Sequence, residues 1–236
     1  MDRDRDLPAS MLRPEISAFL GEMKRLPAVR RGMGEGRLVF ALDATMSRQP
    51  TWDMATRLQA DMFAAAASGL RVQLISFRGQ REFDVRPWTG DADTLIEAMK
   101  TYRCRGGLTQ IERVLAHAVT EHGRFSIKAL VMVGDAVEEN IDRLCAAAGC
   151  LGLLGVPCFV FQEGRATKVE TAFREIARLS GGAYGRFDAA SADTLRQLLQ
   201  AVAVFASGGS KALRDLSRTS PAAALLIEQM PGVERP

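Results

Sequence analysis

Arg37-Leu-Val-Phe-Ala-Leu-Asp43-Ala-Thr45-Met-Ser47 begins as an unbroken apolar run and ends in three oxygen-bearing side chains at alternate positions. An apolar strand without polar alternation is covered by helices on both faces, so the run predicts a central strand of a parallel sheet. Ligands of such sheets gather at the carboxyl edge of the strands. Asp43, Thr45 and Ser47 stand at that edge, where a chain leaving the strand can turn one carboxylate and two hydroxyls toward a single point. The donor set suits a hard cation such as Mg²⁺, which prefers oxygen ligands, keeps several waters and rarely receives a full protein cage. Two hydroxyls and few carboxylates leave room at the ion for one more anion.

Two further stretches extend the pattern. Gly106-Gly107-Leu108-Thr109-Gln110-Ile111 sets a threonine just before a predicted helix, and Ala129-Leu-Val-Met-Val-Gly-Asp135 reads as a second buried strand ending in a carboxylate. In this order the three elements resemble the metal-ion-dependent adhesion site of von Willebrand factor type A domains. That site has Asp-x-Ser-x-Ser after the first strand, a glycine-rich loop supplying a threonine, and a last aspartate. Thr45 departs from the family's serine; it keeps the hydroxyl and adds a methyl group. The resemblance spans residues 37 to 206.

The resemblance implies an α/β fold, a doubly wound, mostly parallel, Rossmann-like sheet with helices on both faces. It implies Mg²⁺ or Mn²⁺ held by Asp43, Thr45, Ser47, Thr109 and Asp135, some of them through water. In the strand order 3-2-1-4-5-6 the first and fourth strands are neighbours at the switch point, so Asp43 and Asp135 meet in one crevice despite their separation in sequence. The implied function is that of a non-enzymatic interaction module, whose ion takes an acidic side chain from another protein. Relatives inside cells often serve as adaptors or as subunits of larger assemblies, including ones driven by AAA+ ATPases.

Composition narrows the field. A chain of 236 residues, 47% hydrophobic, can bury one sizeable core and is short for two domains. A net charge of +3 falls well below the basic bias of a dedicated nucleic-acid binder. Met-Asp-Arg-Asp-Arg-Asp at the start lacks the basic and apolar segments of a secretory signal, so a cytoplasmic protein is expected. The uncharged stretch from Ala146 to Gln162 is interrupted by Gly149, Gly152, Gly155 and Pro157 and reads as a helix end and a strand, not a membrane span. Cys104, Cys145, Cys150 and Cys158 lack zinc-site spacing and read as reduced thiols.

Three regions follow. Residues 1–36 comprise an amphipathic helix from about Pro8 to Leu26 and a basic connector; residues 37–206 form the domain; residues 207–236, opening on Ser207-Gly-Gly-Ser210, read as a flexible tail with a short helix from Ala222 to Met230. The Gly-x-Gly-x-Gly run at Gly32, Gly34 and Gly36 precedes the first strand, so it cannot present helix-end amides to a dinucleotide. Between Asp43 and Asp135 the pattern predicts a helix from Pro50, a strand from Arg71 to Phe77, and an antiparallel edge strand from Arg81 to Arg86. Helices follow at Asp91 to Tyr102 and Thr109 to His122. Beyond Asp135 it predicts a helix from Glu138 to Leu154, a strand from Val156, a helix from Val169, an aromatic strand near Tyr184 and a helix from Ser191.

Other chemistries lack parts. A haloacid-dehalogenase-type phosphotransferase needs a second aspartate where Thr45 stands. No Gly-x-Ser-x-Gly turn and no P-loop occur. His117 and His122 lie off a common helical face and read as packing or surface residues. The alternative from another class is a metal-dependent hydrolase using the same crevice. It needs a general base, for which Glu138 and Glu139, read as a solvated helix start, are the local candidates. Arg103 and Arg105 run into the glycine loop and Arg48 follows Ser47; either they grip a partner's acidic patch through paired hydrogen bonds, or they form a solvated basic surface.

Overall fold

Leu38 to Leu42 are fully buried, and their alternation divides the interior. Leu38, Phe40 and Leu42 face one layer, and Val39 and Ala41 face the other. The computed structural model describes residues 36–44, 70–78, 82–101, 107–188 and 192–232. The amphipathic helix read over residues 8 to 26, the basic connector and the helix from Pro50 lie outside the described residues.

Six strands and six helices are described. In chain order they are β1 (Gly36–Asp43), β2 (Leu70–Arg78), β3 (Glu82–Val85), α1 (Ala92–Lys100), α2 (Ile111–Phe125) and β4 (Ala129–Gly134). Then follow α3 (Ile141–Leu153), β5 (Cys158–Glu163), α4 (Thr167–Ser180), β6 (Tyr184–Phe187), α5 (Ala192–Ser217) and α6 (Pro221–Gln229). The sheet runs β3-β2-β1-β4-β5-β6. All pairs are parallel except β2 with β3, the antiparallel edge expected from the alternating run. On one face lie α1, α5 and α6, with Met99, Leu198, Val202 and Leu226 against Phe40, Val131 and Phe159. On the other lie α2, α3 and α4, with Leu115, Leu144 and Phe173 against Ala41, Met132 and Val160. Among the described residues no helix is long and apolar enough to cross a membrane.

Local chemistry sets several boundaries. Asp91 caps α1 by accepting from the Asp93 and Thr94 amides at 3.3 and 3.1 Å, and Asn140 caps α3 by accepting from Arg143 N at 3.1 Å. Gly181 ends α4 in the left-handed conformation, with φ of 73°. At Gly182 a side chain has no room, because an added Cβ would lie 2.1 Å from the Cys158 carbonyl oxygen. Cys158 is buried, and burial pushes its thiol pKa up, so it packs as a small inert hydrophobe.

Within the region read as a flexible tail, residues 207–232 are instead largely helical and packed, and α6 falls close to the short helix expected from Ala222 to Met230. Gly209 leaves helical geometry, with φ of 70°, but α5 resumes beyond it and α6 follows, started by Ser220 and Pro221. Leu213, Leu226 and Ile227 are buried in the main core. Each such burial contributes about 1.5–3 kcal/mol, more than the ~1 kcal/mol a helical glycine costs, so packing overrides the local linker signal. The helix also covers the open edge of the sheet. Gln229 accepts from Tyr184 N at 3.0 Å and donates to Tyr184 O at 2.9 Å, occupying backbone groups of β6 that an edge strand leaves unpaired.

At the opposite edge, buried Glu121 of α2 accepts from Trp88 Nε1 at 2.9 Å and Gln73 Nε2 at 3.3 Å, tying helix to sheet. That orients the Gln73 amide so that its oxygen faces His117 Nε2, 2.8 Å away, and the histidine is therefore the donor. His122 Nδ1 bonds the Ile127 carbonyl at 3.2 Å. Both histidines pack within the fold.

Two tests follow from this architecture. Leu226→Ala should lower the unfolding free energy by about 2–5 kcal/mol in urea titrations, whereas a mobile tail predicts no change. Burial lowers the pKa of both His117 and His122, with the Glu121 charge opposing this at His117 and the Ile127 carbonyl at His122. The unfolded chain therefore takes up protons first as pH falls through about 6.5, and stability drops from there toward the depressed folded values. Between pH 7.5 and 5.5 the wild type should lose more stability than a His117→Gln/His122→Gln variant; equal losses would remove the histidines from the account.

Candidate metal centre

The parallel register pairs Leu42 with Val133, which sets Asp43 level with Gly134 and Asp135 one residue beyond. Chain direction away from the sheet reverses between β1 and β4, so both carboxylates stand at the switch point, as expected. Asp43 is 1% exposed, and a Cβ added at Gly134 would lie 3.7 Å from its Oδ2. Asp135 is half-buried, and its Oδ1 is sealed from solvent with no hydrogen-bond partner among the described residues. Burying a carboxylate oxygen without a donor is unfavourable by about 1–3 kcal/mol or more, a deficit that a cation removes.

Thr109 is 4% exposed and precedes α2, whose N-cap residue Gln110 makes no side-chain capping bond. The acceptors come instead from the loop after β4. Thr109 N donates to Glu138 Oε2 at 2.8 Å, and the Thr109 hydroxyl donates to Glu139 Oε2. Glu138 N donates back to Thr109 Oγ1 at 3.3 Å, and Glu112 N donates to Glu139 Oε1 at 3.0 Å. A carboxylate at the positive end of a helix is also favoured by the helix dipole. An ion pair between Arg143 and Glu112, 2.8 Å apart, joins α3 to the same turn of α2.

Glu138 is exposed and Glu139 half-buried, but the two belong to a loop and not to the helix start expected of them. The helix begins three residues later, at Ile141. Asn140 carried the signal: an asparagine directly before the first apolar position of a helix is a cap, which leaves the two glutamates in the loop.

Of the residues expected at the ion, Asp43 and Asp135 are brought to adjacent strand ends, and Thr109 is tied to the loop that continues from Asp135. Thr45 and Ser47 lie outside the described residues, as do Arg48, Arg103 and Arg105. Among the described residues no three His, Cys, Asp or Glu side chains form a metal-binding group. The donors present are two carboxylates and one hydroxyl, all hard oxygens. They fit Mg²⁺ or Mn²⁺ and not a thiolate- or imidazole-seeking ion.

No protein-family model and no curated protein matches the chain. Solved structures do. An aerotolerance-related membrane protein from Bacteroides fragilis aligns at 18% identity with a TM-score of 0.56, covering 69% of this chain and 96% of that one. A von Willebrand factor type A structure from Catenulispora acidiphila aligns at 20% identity and TM-score 0.55, covering 71% of this chain and 42% of that one. The SpRpn10 VWA domain aligns at 10% identity and TM-score 0.52, covering 68% and 95% respectively. Identities this low speak to fold and not to site. Strand order, the single antiparallel edge and these alignments agree: the chain has the von Willebrand factor type A fold.

Proposed function

We propose that this chain is a divalent-metal-dependent protein-interaction module, whose ion is held at the carboxyl edge of β1 and β4 and binds an acidic side chain of a partner. The observation that carries the proposal is the buried, hydrogen-bond-deficient Oδ1 of Asp135 next to buried Asp43 at the switch point. Asp43, Asp135 and Thr109 would hold Mg²⁺ or Mn²⁺, with Thr45 and Ser47 completing the oxygen set. The ion would supply an electrophilic position that a partner's carboxylate can occupy. Arg48, Arg103 and Arg105 would flank that carboxylate, and an intracellular adaptor or a subunit of an AAA+ ATPase-linked assembly is the setting proposed.

The rival reading, a metal-dependent hydrolase, needs a free general base. Glu139 suits that role poorly, because both of its carboxylate oxygens already accept hydrogen bonds, from the Thr109 hydroxyl and the Glu112 amide, and Glu138 accepts from the Thr109 amide through Oε2. Their contacts favour a fixed scaffold over a proton-shuttling one.

Calorimetric titration of Mg²⁺ or Mn²⁺ into chelator-treated protein should show a single site that Asp43→Ala abolishes. A variant that titrates like wild type would place the site elsewhere. Turnover of phosphoesters or peptides that disappears in Asp135→Ala would shift the reading to the hydrolase.

A further inference from the structure

We infer that Glu139 is a positioning residue for the metal centre, acting through the Thr109 hydroxyl; this rests on the metal reading above. A threonine hydroxyl has one proton and two lone pairs. At Thr109 the proton goes to Glu139 Oε2, and the Glu138 backbone N–H takes one lone pair at 3.3 Å. One lone pair is left, and it is the only capacity through which this hydroxyl can serve a cation. Were the proton free to rotate, it could point toward the ion and repel it. The Glu139 carboxylate fixes its direction.

Glu139 is itself held. Its Oε1 accepts from Glu112 N at 3.0 Å in the first turn of α2, and neighbouring Glu138 binds the Thr109 amide at 2.8 Å. Two consecutive glutamates thus clasp the threonine's amide and hydroxyl together with the helix start, so Thr109 cannot turn without breaking several bonds at once. Partners of this kind, one bond removed from a metal, typically change metal affinity by about 10–100-fold when deleted.

The test is a double-mutant cycle on the full chain, with Mn²⁺ alone as the probe and calorimetry as the readout. Circular dichroism confirms that each variant is folded. Glu139→Ala should weaken Mn²⁺ binding by about 10–100-fold, and Thr109→Val by a similar factor. Because Glu139 works through the hydroxyl, Glu139→Ala should cause no further loss in the Thr109→Val background. Glu139→Gln keeps the volume and one acceptor oxygen; it serves if the alanine variant does not fold, and should show an intermediate loss that vanishes with Thr109→Val.

Affinity unchanged in Glu139→Ala overturns the inference. So does an equal fold-loss in both backgrounds, since that is the general field of one missing carboxylate and not the orientation of a hydroxyl. Binding that survives Asp43→Ala overturns the metal reading itself, an outcome distinct from either of these.

Discussion

Parallel pairing of β1 with β4 is the constraint on which the rest of the molecule depends. It forces two strands, far apart in sequence and buried on both faces, to end side by side, and it places Asp43 level with Gly134. The apolar alternation of β1 fixes which face each residue takes, since a slip by one residue would exchange the two layers. Leu38, Phe40 and Leu42 belong to the layer of α5, so Asp43 turns toward the layer of α2, the helix that follows Thr109. Fold energetics and site geometry share one cause. The same register that buries the core carries the carboxylate to its place.

The second organising feature is polar. Glu138 and Glu139 leave the β4 edge and reach the start of α2, where the helix lacks a capping side chain of its own. A single loop therefore carries Asp135 and also holds Thr109, coupling the two residues that resemblance alone assigned to a common site. Both carboxylate oxygens of Glu139 and one of Glu138 meet specific donors at the start of α2, which ties the loop to the helix.

Much of this was legible in the sequence. Continuous apolar runs at Leu38 and Ala129 announced the central strands, and alternation near Phe83 announced an antiparallel edge, because each pattern reflects how many faces of a strand are buried. The closing helices begin where the sequence predicts them, but the continuation of α5 past Gly209 has no local signal. Ser207-Gly-Gly-Ser210 has the local chemistry of a linker, and only tertiary burial of Leu213, Leu226 and Ile227 makes the chain continue as helix. Glu138 and Glu139 read as a helix start because helix propensity favours glutamate in a first turn, while the decisive cap is Asn140. Gln229 binding to the β6 backbone carries no sequence signal, since any polar residue at that helix position reads as surface.

The central claim is that a divalent cation binds where β1 and β4 end. The most direct measurement is anomalous diffraction from crystals grown with Mn²⁺, which locates the ion without reference to any assumed ligand. The account predicts one strong anomalous peak in the crevice, within coordination distance of oxygens from Asp43, Asp135 or Thr109, directly or through water. Full Mn²⁺ occupancy elsewhere on the protein, with no peak at this edge, would contradict it.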